Sequence, residues 1–465
     1  MIELTVSLQK EGRVPLYEQL YAHIKQEIIS GAYVFNTRLP SKRQLAAHLA
    51  CSRNTVLTAY SQLLAEGYIT ARPKSGYYVN ALDNMAQLEK GQAQPSRPIK
   101  EQEACQYDFS HHGVDPIHFP FASWRKITRD VINEWDEELL KTGHRQGHPD
   151  LRAAIASYLY QSRGVVCTPE QIVVSAGTEL LLQLLIQLFD ENVVYAIENP
   201  GYEKLNLIFK SSRASYKTVD LDENGMRPDV LLKSGADIAC VTPSHQFPTG
   251  RIMPVSRRIQ LLNWARGKEG RYIVEDDYDS EFRYDGRPIS SLQGLDGSGK
   301  VIYLGAFSKS LTPALRVSYM VLPERLLQSY HEKLNFYMCP VPTIEQKTLY
   351  RFIQEGHFER HLNKMRTLYK QKRERLVSSI QLLLPNAVIE GASAGLHFVL
   401  KLDNGLSEQA LIEAAKTQKV RVYGLSQYYF EQRPDMDSAL LLGFAAIKYD
   451  DIYDAVSRLK SAWER

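Results

Sequence analysis

Val301-Ile-Tyr-Leu-Gly-Ala-Phe-Ser-Lys-Ser310 is a run of apolar, strand-like residues that ends at one lysine, Lys309. An earlier apolar stretch, Tyr272-Ile-Val274, ends in the acidic sequence Glu275-Asp276-Asp277-Tyr278. A lysine after one strand and an acid after the preceding strand are what a pyridoxal phosphate site needs. The lysine forms a Schiff base with the cofactor, and the carboxylate keeps the pyridine nitrogen protonated so that the ring withdraws electrons. These two stretches therefore predict a cofactor site at the ends of adjacent strands.

Strands and helices alternate on both sides of these stretches. This pattern predicts an α/β fold with a mostly parallel sheet between helices. A long helical stretch over about 323–385 precedes later strands, which predicts a small C-terminal α+β part. The predicted strands of the sheet are 171–175, 193–196, 238–241, 272–274 and 301–304, helices are predicted at 180–189 and 257–266, and the later strands lie near 395–400 and 439–444.

The first 80 residues have a different pattern. Leu16, Leu20, Ile24 and Ile28 recur at helical spacing, and two shorter helical segments follow. Ser52 is a good N-cap for the third helix, which is predicted to end at Gly67. Two short strands, 68–71 and 77–80, come next. The order helix, helix, turn, helix and hairpin predicts a winged helix-turn-helix.

Charge is unevenly distributed along the chain. The 465 residues carry a net charge of +3, with 44% hydrophobic and 23% charged residues, which is ordinary for a globular protein of two or more domains. Residues 36–80 contain six basic side chains and one acidic side chain, Glu66. This local excess predicts a polyanionic partner for the N-terminal segment alone.

The segment 81–106 is polar and contains two prolines, which predicts a linker. The predicted domains are therefore a DNA-binding unit at 1–80, a linker at 81–106 and a cofactor-binding unit at 107–465. The five cysteines are scattered without a CxxC spacing, so no metal site is expected and a reducing cytoplasm fits best. No apolar stretch reaches the roughly 20 residues that a membrane span requires, so no membrane association is expected.

Three N-terminal motifs carry a family resemblance. Leu39-Pro-Ser-Lys-Arg-Gln-Leu-Ala46, Cys51-Ser-Arg-Asn-Thr-Val56 and Ala65-Glu-Gly67 resemble the GntR-type winged helix. Arg53, near the start of the third helix, could donate two hydrogen bonds to a guanine in the major groove. The alternative is a protein-interaction module with solvated arginines. The resemblance implies double-stranded operator DNA as the partner, and the candidate contacts are Arg43, Ser52, Arg53, Asn54, Thr55, Lys74 and the wing glycine Gly76.

The large segment carries a second resemblance. Thr242-Pro-Ser-His-Gln-Phe-Pro-Thr-Gly250, Glu275-Asp-Asp-Tyr-Asp-Ser-Glu-Phe282 and Phe307-Ser-Lys-Ser310 resemble fold-type I, aspartate-aminotransferase-like domains. The whole arrangement is similar to the MocR subfamily of regulators, and within it to the GABA-responsive branch. The resemblance implies that Lys309 binds pyridoxal phosphate, that Asp276 pairs with the ring nitrogen and that Tyr278 hydrogen-bonds the phenolic oxygen.

Further cofactor contacts are expected at the phosphate and on the ring face. Gly177 and Thr178 lie where a strand passes into a helix, so their N–H groups are suited to a phosphate. Ser308 and Arg316 would complete this cup, while Ala306 stands where many relatives carry a hydroxyl. Tyr202 is expected to stack on the ring, with a plain core residue as the alternative. His245 is either a direct contact or a structural histidine behind the ring.

The resemblance also implies sites for the effector. The arginines that bind the effector carboxylate in the GABA-responsive branch align with Lys204 and Asp437, although Arg433 could replace the second. Lysine lacks the bidentate fork of arginine, and aspartate reverses its charge. The effector is therefore expected to differ from GABA itself.

These features predict a cytoplasmic transcriptional regulator that senses a small amine by forming an external aldimine. Family resemblance implies a head-to-tail homodimer. The alternative is an active aminotransferase with an accessory DNA-binding head, because Lys309 and Asp276 suffice for that chemistry. A vestigial domain that binds no cofactor is a third interpretation.

Overall fold

The computed structural model describes residues 8–9, 14–81, 105–134, 136–284, 289–430 and 438–464. The chain divides into two compact units, residues 1–100 and residues 101–465. This division falls within the segment predicted to be a linker, of which residues 82–104 lie outside the described residues. The exact limits 1–80, 81–106 and 107–465 stay a prediction.

Among its described residues, the smaller unit contains three helices followed by a two-stranded antiparallel hairpin. Ser41 begins the second helix with a capping box, and Ser52 begins the third by accepting a hydrogen bond from the Thr55 amide. Buried side chains from every element form one core, with Leu20, Tyr60 and Val79 among them. The elements are α1 (Leu16–Ile29), α2 (Lys42–His48), α3 (Arg53–Ala65), β1 (Ile69–Arg72) and β2 (Gly76–Val79).

The larger unit is built on a sheet that has eight strands among the described residues. Five neighbouring strands run parallel. One antiparallel strand, Ser318–Val321, is inserted between the strands Val301–Ala306 and Ile172–Ser175. In spatial order the strands are β4 (Ile172–Ser175), β11 (Ser318–Val321), β10 (Val301–Ala306), β9 (Tyr272–Asp277), β8 (Ile238–Val241), β5 (Val194–Asn199), β6 (Ser215–Asp222) and β7 (Gly225–Met226).

Both faces of this sheet are covered, which explains the continuous apolar runs in its central strands. On β10, Ile302 and Leu304 belong to one core, whereas Tyr303 belongs to the core on the opposite face. The helices of the unit are α4 (Phe121–Asn133), α5 (Pro149–Arg163), α6 (Thr178–Leu188), α7 (Glu203–Ser211), α8 (Pro228–Ser234), α9 (Val255–Arg266), α10 (Glu324–Leu334), α11 (Thr343–Gln354), α12 (His357–Leu383), α13 (Glu408–Thr417) and α14 (Ile452–Trp463).

A smaller antiparallel sheet forms the C-terminal part. It contains β12 (Val388–Glu390), β13 (His397–Lys401), β16 (Ala439–Gly443) and β15 (Tyr423–Gly424), in that order. The short strand β3 (Tyr107–Asp108) pairs with β14 (Val420–Arg421), which ties the beginning of the unit to this part. The predicted fold class is therefore confirmed. No helix in the described part of the chain is long and apolar enough to cross a membrane.

Candidate cofactor-binding site

A cavity of about 320 Å³ opens at the carboxyl edge of the parallel strands. Parallel strands place the residues that follow them at one edge of the sheet, which is where ligands bind in open α/β folds. Here β4, β9 and β10 all contribute. Of the residues predicted to hold the cofactor, eight line the cavity: Gly177, Thr178, Tyr202, Asp276, Tyr278, Ser308, Lys309 and Arg316.

The acidic end of β9 divides its three carboxyl groups between two faces, because successive side chains of a strand alternate. Glu275 accepts hydrogen bonds from the backbone amides of Leu292 and Gln293, each at 2.8 Å. Asp277 points to the same side and pairs with Nε of Arg163 at 2.8 Å. Asp276 alone faces the cavity. The strand geometry thus selects the residue that can meet a ligand.

Asp276 has an unsatisfied oxygen. Its Oδ1 is buried and has no hydrogen-bond partner among the described residues. Burial raises the pKa of Asp276 to about 7, and the negative charges of Asp277, Asp279 and Glu198 add to this effect. A buried acceptor of this kind is costly unless a donor meets it. A protonated ring nitrogen in the cavity would be such a donor, and its charge would favour the carboxylate.

Lys309 follows β10 and places its amine in the same cavity. Its Nζ donates a hydrogen bond to the backbone carbonyl of His111. Burial lowers the pKa of Lys309 to about 8, although Asp279 opposes the shift. Because an amine must be neutral to attack a carbonyl carbon, this environment makes Lys309 a better nucleophile near neutral pH than a solvated lysine.

The opposite end of the cavity is suited to an anion. Helix α6 begins at Thr178, and Gly177 before it lies in the left-handed region with φ of +102°. A Cβ atom at Gly177 would lie 2.1 Å from Nη2 of Arg316, so only glycine lets the guanidinium approach this turn. The free N–H groups of the helix and the Arg316 charge converge on one place. Ser308 lines the cavity as well.

Two cations at this end share one acidic partner. Glu179 accepts from Nη2 of Arg316 at 2.8 Å and from Nζ of Lys204 at 3.2 Å. Although burial opposes ionisation, a backbone hydrogen bond and these two cations hold the pKa of Glu179 below its usual range. Lys204 therefore lies at the cavity with its charge already paired. The other residues considered for the effector, Asp437 and Arg433, lie outside the described residues.

Tyr278, His245 and Asp279 form a hydrogen-bonded group behind the centre of the cavity. The Tyr278 hydroxyl lies 3.0 Å from Nδ1 of His245, and that nitrogen lies 2.9 Å from Oδ2 of Asp279. Tyr278 and Asp279 line the cavity, whereas His245 is not among the described residues that do. His245 therefore contacts two residues of the cavity wall, and its role toward a cofactor stays a prediction.

Three histidines that line the cavity were not predicted from the sequence: His111, His112 and His397. His111 and His112 line the cavity beside Lys309, and burial lowers the pKa of His111 to about 2 and that of His112 to about 4. The contact of His111 with Lys309 runs through the His111 backbone carbonyl, 198 residues away along the chain. The adjacent His-His pair after a short strand was the one signal available, and it is too common to identify a site.

The predicted DNA contacts lie on the surface of the smaller unit. Ser52 and Asn54 are exposed, and Thr55 is half-buried because its amide and hydroxyl contact the Ser52 hydroxyl. Gly76, where β2 begins, has φ of +123°. The candidate phosphate and base contacts that carry positive charge are all exposed: Arg43, Arg53 and Lys74.

Comparison with known proteins assigns both units. Residues 113–459 match the aminotransferase class I and II family, and residues 16–79 match bacterial regulatory proteins of the gntR family. The HTH-type transcriptional regulator YdeL of Bacillus subtilis (strain 168) is 41% identical over 100% of both chains. The probable rhizopine catabolism regulatory protein MocR of Rhizobium meliloti is 34% identical, over 98% of this chain and 95% of its own. The solved multiple substrate aminotransferase from Thermococcus profundus has a TM-score of 0.69 and 25% identity, over 78% of this chain and 92% of that chain.

The chain therefore belongs to the MocR-like subfamily of GntR transcriptional regulators, in which a winged helix is joined to an aminotransferase-like domain. The predicted family, fold and DNA-binding regulator class are confirmed. Membership of the aminotransferase class I and II family implies a pyridoxal phosphate cofactor.

Proposed function

We propose that the larger unit holds pyridoxal phosphate at Lys309 and uses it to sense a small amine, whose binding changes how the winged helix engages operator DNA. The observation that carries this proposal is the buried, unpartnered oxygen of Asp276 in the cavity that also contains the Lys309 amine. A carboxyl group in that state fits a protonated pyridine nitrogen. The gntR-family segment in the same chain provides the DNA-binding unit through which amine binding would change transcription.

The remaining cavity residues fit the other parts of this cofactor. The amides at Gly177 and Thr178, the Ser308 hydroxyl and the Arg316 guanidinium would hold its phosphate, as positive and N–H groups at a helix N-terminus do. Tyr278 would bind the phenolic oxygen, and Tyr202 would cover one ring face. When bound, pyridoxal phosphate supplies an aldehyde carbon that condenses reversibly with amines and a ring that withdraws electrons from it.

The proton on the free Lys309 amine decides how readily that amine condenses with the cofactor aldehyde. Its pKa of about 8 leaves a useful neutral fraction at physiological pH, and the His111 carbonyl holds the amine at one side of the cavity. An incoming effector amine must displace Lys309 and take its place. The cationic form of Lys309 can then remain within reach of Asp279, whose negative charge favours that form.

The pairing of Lys204 restricts the effector. A carboxylate on the effector would compete with Glu179 for the Lys204 ammonium, and Lys204 is also about half exposed. An ion pair between the effector carboxylate and a half-exposed lysine would contribute about 1 kcal/mol or less to the binding free energy. We therefore propose an amine without an essential distal carboxylate. Titration with GABA and with amines that are neutral or cationic at the far end distinguishes these classes. Tight GABA binding that is lost in Lys204→Ala would contradict the proposal.

At the other unit, we propose that α3 enters the major groove and that the β1–β2 hairpin follows the backbone. Arg53→Ala should weaken binding to a selected operator by about 1–3 kcal/mol and relax base preference at one position. Lys74→Ala should weaken binding evenly across sequences and flatten its salt dependence. Duplexes selected from a random pool supply the probe. Unchanged affinity and preference in Arg53→Ala would exclude this orientation of α3.

The test of the cofactor proposal is chemical. Purified protein incubated with pyridoxal phosphate should develop a visible absorbance band, and borohydride should fix the cofactor to the chain. Peptide mapping should find the label at Lys309. Lys309→Ala should lose the fixed label, while Lys210→Ala, at an exposed lysine of α7, should keep it. A label that persists in Lys309→Ala overturns the assignment.

An active aminotransferase is the second candidate, and the completeness of the Lys309–Asp276 pair favours it. Multi-turnover formation of keto acid from an amino donor would establish it, whereas a spectral change that persists without product supports the sensor. Family resemblance further favours a head-to-tail homodimer in the cytoplasm. A solution mass twice the 53.0 kDa of the chain tests the dimer.

A further inference from the structure

One buried nitrogen of His245 faces two oxygen atoms at once. Nδ1 lies 2.9 Å from Oδ2 of Asp279 and 3.0 Å from the hydroxyl of Tyr278. His245 and Asp279 are each 1% exposed, so water cannot replace either contact. Tyr278 and Asp279 also border the cavity, whereas His245 is not among the described residues that do. The position of a single proton on Nδ1 therefore decides which way the Tyr278 hydroxyl can donate.

The donor inventory of these three groups leaves one consistent arrangement. A carboxylate oxygen only accepts hydrogen bonds, so the short contact with Asp279 requires a proton on Nδ1 of His245. A protonated Nδ1 has no lone pair and cannot accept from Tyr278. The Tyr278 oxygen can share the Nδ1 proton, but its own hydroxyl proton must point elsewhere. Because Tyr278 lines the cavity, the cavity is the direction that remains.

The surroundings hold the His245–Asp279 pair in this geometry. Gly395 packs its backbone so closely that a Cβ atom there would lie 2.1 Å from Nδ1 of His245 and 2.5 Å from Oδ2 of Asp279. His397 lies beyond, with ring centroids 4.6 Å apart, and its Nε2 contacts the Pro248 carbonyl at 3.2 Å. His245, Asp279 and His397 could also be considered as metal ligands. One nitrogen of His245 and one of His397 already make hydrogen bonds. This favours a hydrogen-bonded chain of Asp279, His245 and Tyr278, here called the relay.

We infer that His245 and Asp279 are positioning residues. Asp279 keeps the proton on Nδ1 of His245, so His245 cannot accept a hydrogen bond from the Tyr278 hydroxyl. The hydroxyl then donates its proton to a cofactor in the cavity. The inference rests on the proposed cofactor site. Burial also raises the pKa of Tyr278 well above its usual range, so the hydroxyl keeps the proton that it would donate. The charged or titratable groups near Tyr278, His245 and Asp279 include Asp276, Asp277, Glu198, Lys309, His111 and His397.

The relay predicts an unusual pattern among variants. Without Asp279, the His245 proton can move to Nε2, and the bare Nδ1 then accepts the Tyr278 hydroxyl. Asp279→Ala should therefore behave like Tyr278→Phe. Removing the competing acceptor as well, in Asp279→Ala/His245→Phe, should return the hydroxyl to the cavity. Asp279→Asn also lacks the charge but keeps an oxygen that can accept from Nδ1, so it should differ from Asp279→Ala and resemble the double variant.

The measurement is the pH midpoint of the visible absorbance of cofactor-loaded, full-length protein. A hydrogen bond donated to the phenolic oxygen lowers the proton affinity of the chromophore. Tyr278→Phe and Asp279→Ala should raise the midpoint by about one pH unit, and the double variant should reverse most of the Asp279→Ala shift. Both Asp279→Ala proteins lack the same charge, so this comparison removes the direct electrostatic effect of Asp279 on Lys309.

Each outcome has one meaning. Equal midpoints in Asp279→Ala and its double variant would overturn the relay, as would an Asp279→Asn protein that matches Asp279→Ala. If Asp279→Ala unfolds, Asp279→Leu offers a side chain of larger apolar volume for the same comparison. A parent protein that shows no visible band and no Lys309 label would instead overturn the proposed cofactor site, before the relay is tested.

Discussion

At the scale of single residues, the reactivity of Lys309 follows from where its amine lies. Burial lowers its pKa to about 8, from an unperturbed value near 10.4. Below pH 8 the neutral fraction rises about tenfold for each pH unit, and above it the fraction levels off. The rate at which cofactor-free protein takes up pyridoxal phosphate should follow this curve, measured by stopped-flow absorbance between pH 6 and about 10. Butylamine, run in parallel, corrects for titration of the aldehyde. A corrected rate still rising tenfold per unit above pH 9 would mean that Lys309 is solvated.

Gly177 is a second residue whose role can be isolated. A methyl group there would meet Nη2 of Arg316 at 2.1 Å, and its φ of +102° is unfavourable for other residues. Gly177→Ala should weaken pyridoxal phosphate binding about tenfold or more, while pyridoxal, which lacks the phosphate, should bind almost unchanged. Gly235→Ala is the matched control, because Gly235 also has a positive φ but no atom within 4 Å of the added carbon. An equal loss for pyridoxal would indicate a general distortion.

At the scale of elements, β9 gives neighbouring aspartates opposite effects on stability. Burial favours the neutral form of Asp277, but Arg163 and the Tyr303 hydroxyl hold its pKa below its usual range. Asp277 therefore stabilises the folded protein above about pH 4, and this stabilisation is lost in acid. The pKa of Asp276 is raised to about 7, so folding loses stability as pH rises from about 4 to 7. Asp277→Asn should cost about 3 kcal/mol.

In cofactor-free protein at pH 8, Asp276→Asn should instead be neutral or stabilising, by up to about 2 kcal/mol. Urea unfolding of both variants at pH 5 and pH 8 tests the contrast. The free energy of unfolding of Asp276→Asn should increase relative to that of the parent protein as the pH rises. The loss of stability in Asp277→Asn should change little over that range. Equal losses in the two variants at pH 8 would show that Asp276 is also paired in the folded protein.

The same elements show what the sequence could predict. The parallel strands ending at Asp277 and Ala306 were recognisable because both faces of each are buried and each begins with a run of apolar residues. The Ser52 cap of α3 was predictable because capping is local. By contrast, β6 was missed because only Val219 of its eight residues is buried and its sequence is polar. The contact of Lys309 with His111 and the pairing of Lys204 with Glu179 depend on tertiary geometry, which no local pattern contains.

At the scale of the whole molecule, each unit has a hydrophobic core of its own. The smaller unit packs Leu20, Tyr60 and Val79 into a core formed by residues of that unit alone, and the cofactor cavity is formed by residues 111–397. DNA affinity and amine recognition should therefore be separable by substitution, while regulation requires both. An amine can change DNA binding only if it binds one state of the chain more tightly than another. Those two states must also differ in their affinity for DNA.

Lys309→Ala tests this separation in the full-length protein. Its affinity for operator DNA without effector should stay within about twofold of the parent protein, because no DNA contact is altered and a twofold change is below about 0.5 kcal/mol. Prepared without cofactor, the variant should not respond to an amine, because the cavity then holds no aldehyde with which the amine can condense. Fluorescence anisotropy with labelled duplex, with and without the amine that gives the largest spectral change, measures both properties. Arg53→Ala is the reciprocal control: it should lose operator affinity while keeping the spectral response. If the cofactor-free Lys309→Ala protein still responds to the amine, sensing occurs at a site other than the Lys309 cavity.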